Sequence, residues 1–63
     1  MENDHQPDIM IIDDDIFNIE LLSRFLSIEG YKNILSVHDG VKAIEKLATY
    51  TPDVIFLDIQ MPI

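Results

Sequence analysis

Asp13, Asp14 and Asp15 stand directly after the apolar run Ile9 to Ile12, and Asp58 stands directly after a second one, Val54 to Leu57. An acid behind a strand often caps the helix that follows, and Asp15 is well placed to do so. Asp58 has no helical pattern behind it, so its structural alternative is a turn aspartate before Pro62. A chemical use depends on convergence. The C-terminal ends of parallel strands gather at one edge of an open sheet, where ligands bind. If the two apolar runs are neighbouring strands, Asp13, Asp14 and Asp58 meet there. Carboxylates so close raise one another's pKa, each unit being about 1.4 kcal/mol, unless a cation intervenes. Mg²⁺, held by one or two carboxylates with waters completing an octahedron, is the natural relief. An aspartate beside such an ion can attack phosphorus and form an aspartyl phosphate while the metal neutralises charge. Together the two clusters suggest phosphoryl acceptance.

The elements that must position these residues are legible from periodicity. Asp8 to Ile12 lacks polar alternation, as a strand covered on both faces does. Apolar residues at 19, 22 and 26 and at 21, 25 and 28 predict a helix over roughly 16–29 with one wide apolar face; Glu20, Arg24 and Ser27 fall opposite, and Gly30 stands just past its end. Asn33 to Val37 sets Leu35 and Val37 on one face and Ile34 and Ser36 on the other, as an edge strand would. Asp39 is an expected N-cap for a second helix with Val41, Ile44, Leu47 and Ala48 on its apolar face, ended by Thr51-Pro52. Val54 to Leu57 is expected to be a second doubly buried strand. The order β-α-β-α-β implies parallel strands joined by right-handed crossovers.

Composition narrows the functional classes. At 63 residues there is room for one small module. Four Lys and Arg against twelve Asp and Glu give a net charge of −8, which disfavours direct contact with nucleic acid or an anionic membrane. The absence of cysteine removes disulfides, thiolate metal sites and a Cys nucleophile, and a reducing cytosol is compatible with it. Met1 to Asp8 lacks the pattern of a secretory signal, and no apolar run approaches the roughly 20 residues needed to span a bilayer, so no membrane insertion is expected. Residues 1–7 read as a flexible N-terminal tail.

Several segments carry a resemblance: Ile11-Ile12-Asp13-Asp14-Asp15, Asn18 with Leu21-Leu22, Asp39-Gly40 opening a helix with Ala43 and Leu47, and Pro52-Asp53-Val54-Ile55-Phe56-Leu57-Asp58-Ile59-Gln60-Met61-Pro62. Over residues 8–63 these resemble the response-regulator receiver domain of two-component signalling. An acidic pair after the first strand with Asp-x-x-Met-Pro after the third is specific at this separation, and the stretch Ile16 to Leu22 is most similar to receivers of hybrid sensor kinases. The resemblance implies a flavodoxin-like α/β fold with parallel strand order 2-1-3 for the segment present, within the family order 2-1-3-4-5. It implies that Asp58 is the phosphoryl acceptor, Asp14 a direct Mg²⁺ ligand, Asp13 a ligand through water and Gln60 a ligand through its backbone carbonyl. Asp15 matches a third acidic position, as a cap or supporting residue. It further implies a cytoplasmic protein whose partner is a histidine kinase or phosphotransfer protein.

The family's Ser or Thr after its fourth strand and Lys after its fifth have no counterpart here, so a partial receiver deficient in switching is expected. With order 2-1-3, strand three becomes an edge and should seek a partner, which predicts a homo-oligomer formed there. A self-assembling half-domain without phosphoryl chemistry is the alternative. A haloacid-dehalogenase-like phosphatase would want an Asp where Gln60 stands, and an EF-hand fails because Phe17 and Asn18 occupy ligand and Gly positions. His5, His38, Met10, Met61 and the aromatic residues Phe17, Phe25, Tyr31, Tyr50 and Phe56 read as tail, loop, core or rim rather than as ligands.

Overall fold

The computed structural model describes residues 6–58. Along the chain run β1 (Asp8–Ile12), α1 (Ile16–Ile28), β2 (Asn33–Val37), α2 (Gly40–Leu47) and β3 (Val54–Leu57). The three strands form one parallel sheet in the order β2-β1-β3. This is the α/β arrangement expected for the N-terminal part of a flavodoxin-like receiver fold. Of the expected flexible tail at residues 1–7, residues 1–5 lie outside the described ones, while Gln6 and Pro7 are half-buried.

β1 is central because both faces of its apolar run are covered. Ile9 and Ile11 pack with Ile19 and Leu26 of α1, joined by Leu22 and Ile34, while Met10 packs with Val37 and Ala43 on the α2 side, joined by Ile12, Leu35 and Tyr50. Burying each such side chain is worth about 1.5–3 kcal/mol before entropy is counted. The expected division of β2 holds, with Ile34 toward α1 and Leu35 and Val37 toward α2.

The helix ends follow local chemistry. The Asp15 carboxylate accepts from the Phe17 N–H at 2.9 Å and the Asp39 carboxylate from the Val41 N–H at 2.8 Å, so both are N-caps. After α1, Gly30 takes φ 102° while the Tyr31 N–H donates to the Leu26 carbonyl and the Gly30 N–H to that of Ser27. This paired closure needs a left-handed residue, which glycine supplies without a Cβ penalty.

Four expectations are corrected. β3 is not doubly buried: all four of its residues are exposed, because it is the sheet edge and neither helix reaches across it. The apolar face of α1 is narrower than expected, since Ile19, Leu22 and Leu26 meet the sheet while Leu21, Phe25 and Ile28 are exposed, and Phe17 is exposed too. Only the arc that meets β1 and β2 finds a partner. In α2 it is Ala43 that is buried, and Val41, Ile44 and Leu47 stay exposed; the small side chain lets the helix lie close to Met10 and Val37. α2 also stops at Leu47, ahead of Thr51-Pro52, because the turn tightens: the Ala48 N–H donates to Glu45 and the Thr49 N–H to Lys46, three residues back.

Candidate functional site

The site is built by register. Ile12 of β1 stands opposite Val37 of β2 on one side and Leu57 of β3 on the other. The next residues, Asp13 and Asp58, therefore leave neighbouring strands at the same level. Two backbone bonds fix that level: the Asp13 N–H donates to the Val37 carbonyl and the Asp58 N–H to the Ile12 carbonyl, both at 3.1 Å. Parallel pairing, imposed by the crossover helices, is what brings the two acids to one rim.

Each acid has a different setting there. Asp13 is 6% exposed, and its Oδ1 accepts from the Asp15 N–H at 2.9 Å, which holds the side chain in a local turn. Asp14 lies in the bend between strand and helix and is exposed. Asp58 is exposed, and its carboxyl is raised above the ordinary aspartate range. Desolvation against the strand ends raises it first; the charge of Asp13, a hydrogen bond with the Asp13 carboxyl, and the charges of Asp14 and Asp15 raise it further. Because water reaches Asp58, the first effect is screened, and the crowding of like charges is the part a cation would relieve.

A depression of about 280 Å³ opens at this rim, bordered by Asp13, Asp14 and Asp58 with Ile12, Leu57 and His38. A second, of about 230 Å³, lies on the α1 side of Asp13 and Asp58 against Leu22 and Phe56. Among the described residues, no group of three or more His, Asp or Glu is drawn together so as to hold a metal ion. Gln60, expected to contribute its carbonyl, lies outside the described residues, as do Met61 and Pro62.

Two residues, one bordering the site and one bracing the strand that carries it, had no such role expected of them. His38 follows β2 and so reaches the same rim, which the strand pattern alone could have indicated. Asp53 ties the opposite end of the sheet: its Oδ2 accepts from the Asp8 N–H at 2.8 Å and its own N–H donates to the Asp8 carbonyl at 2.7 Å. Asp53 thereby fixes the start of β3, and hence the height at which Asp58 leaves it. Its position after Pro52, before an apolar run, is the available signal.

The family pattern of the response regulator receiver domain matches residues 9–63. The chain belongs to that family. This receiver segment is 46% identical over 54 residues to a protein named Response regulator MprA from Mycobacterium ulcerans, covering 86% of this chain and 23% of that protein. Proteins of the same name from Mycobacterium avium and Mycobacterium tuberculosis are 44% identical over the same length, with the same coverage. The receiver segment thus spans under a quarter of the length of these curated relatives. No solved structure matches it at a significant level. Among the described residues, no helix is long and apolar enough to cross a membrane.

Proposed function

We propose that this chain supplies the acceptor end of a two-component phosphorelay, with Asp58 taking a phosphoryl group from a histidine kinase or phosphotransfer protein in the cytoplasm. The single observation that carries this reading is the shared level of Asp13 and Asp58 at the ends of paired strands, with the Asp58 carboxyl raised by its acidic neighbours.

The residues present fit a hard divalent cation. Like charges are crowded at the rim, oxygen donors are the only ones its acids offer, and Mg²⁺ needs no more than one or two protein carboxylates. Asp14 would ligate it directly, Asp13 through water and Gln60 through its carbonyl. When bound, Mg²⁺ supplies neutralisation of the charge on the transferring group. The protein's own part is positional. The Asp58 carboxylate oxygen forms a bond to phosphorus while the donor's bond to phosphorus breaks, and the leaving group keeps that electron pair. Exposure of Asp58 admits a macromolecular donor, and the Asp13 turn keeps the neighbouring acid from swinging away. The domain is a phosphoacceptor rather than an enzyme, comprising residues 8–63 behind a tail of residues 1–7.

Assayed alone, the 63-residue chain has no counterpart of the family's Ser or Thr and Lys positions, so it is expected to accept phosphate without switching. The β3 edge, unpaired among the described residues, supports association of two copies through that edge, and light scattering that gives a folded monomer at micromolar concentration would remove this part of the proposal. The function itself is tested by incubating the chain with Mg²⁺ and acetyl phosphate and reading intact mass. A phosphoryl adduct that disappears in Asp58→Asn supports the proposal. An adduct retained by that variant, or none in either, leaves only the self-assembling half-domain.

A further inference from the structure

Two exposed cations of this acidic chain flank the outer edge of β2, while Arg24 and Lys32 are exposed elsewhere. Of its four Lys and Arg, Lys42 and Lys46 both border a single cavity of about 450 Å³ that wraps this edge, with one acid, Glu20, on the far flank. His38 closes the end nearest the acidic rim.

The backbone of the edge is equally specific. The Val37 carbonyl accepts from Asp13, so Val37 and, by alternation, Leu35 direct their backbone groups toward β1. Ile34 and Ser36 then direct theirs outward, away from the sheet. The two flanks differ in kind: the α1 side offers the exposed side chain of Ile16, with Glu20 beside it and Ile19 buried beneath, and the α2 side offers Lys42 and Lys46. A strand laid along β2 would present alternate side chains to these two flanks.

We propose that the outer edge of β2 binds an extended peptide with alternating apolar and acidic residues, added as a further strand, its apolar residues against Ile16 and its acids against Lys42 and Lys46. Main-chain bonds to Ser36 and Ile34 supply affinity, and the two flanks supply selectivity. The site does not depend on phosphoryl chemistry at Asp58.

The test is a titration of the isotope-labelled chain with a capped hexapeptide alternating Val and Glu, followed by amide NMR. Saturable shifts led by Ile34, Ser36 and His38, weakened by salt, are the expected result. Ser36→Pro removes one outward N–H without touching the ladder to β1, and should abolish binding. Should that variant fail to fold, Lys42→Glu, at an exposed position outside the sheet, carries the test and should weaken binding about tenfold together with Lys46→Glu. The proposal is overturned by unsaturable shifts, by an equal response to a Val and Lys peptide, by shifts centred on β3, or by glutarate alone reproducing the effect.

Discussion

β1 and β3 are written alike and live differently. Each is a short run of large apolar residues without polar alternation, and the two are paired in register, Met10 beside Ile55 and Ile11 beside Phe56. Yet Met10 is 0% exposed and Ile55 45%, Ile11 2% and Phe56 39%. The difference is position: among the described residues β1 has a strand on each side and a helix on each face, whereas β3 has one neighbour and no helix over it. An apolar run records the environment a segment requires, and the topology decides whether the described residues provide it.

Paired truncations measure that contrast. Met10→Ala should cost about 2–5 kcal/mol, enough to unfold a chain of this size, whereas Ile55→Ala at the same register should cost about 1 kcal/mol or less. Urea unfolding followed by circular dichroism checks both; equal losses would mean that β3 is covered in solution. Next in size is Asp53→Ala, which removes the acceptor for the Asp8 N–H and should cost about 1 kcal/mol while loosening β3 more than β1, as read by amide hydrogen exchange. Replacing Ile55 and Leu57 by Thr should change unfolding free energy by about 0.5 kcal/mol at most while lowering association measured by light scattering.

The smallest effect concerns acid. Asp58 has a folded-state pKa raised above its ordinary 3.8, so the folded chain binds a proton more readily there than the unfolded one. Its charge therefore lowers stability as pH rises from about that value through the raised one. Asp58→Asn should be slightly more stable than the parent at neutral pH, with the gap closing below the ordinary aspartate range. Thermal melts across pH check the sign, and added Mg²⁺ should narrow the gap by stabilising the parent more than the variant.

Much of the fold was legible because its signals are local. Asp15 and Asp39 announced helix starts, Gly30 a helix end, and the alternation in Asn33 to Val37 was enough to sort that strand's faces. Which apolar residues are covered was not legible. Leu21, Phe25 and Val41 have the same periodicity as buried residues, and only the placement of neighbouring elements separates them from Leu26 or Ala43. At the rim, the convergence of Asp13 and Asp58 followed from strand order, which pattern could suggest. The turn that fixes Asp13 and the brace from Asp53 to Asp8 depend on hydrogen bonds that spacing does not encode.

The proposed phosphoacceptor role requires Asp13, Asp14 and Asp58 to serve one cation at a common rim, directly or through water. A Mg²⁺ titration of the labelled chain, followed at their three amides, tests it most directly. All three should move together along one binding curve, and Asp58→Asn should weaken that curve for the other two. Separate curves, or a response confined to acids elsewhere in the chain, would contradict it.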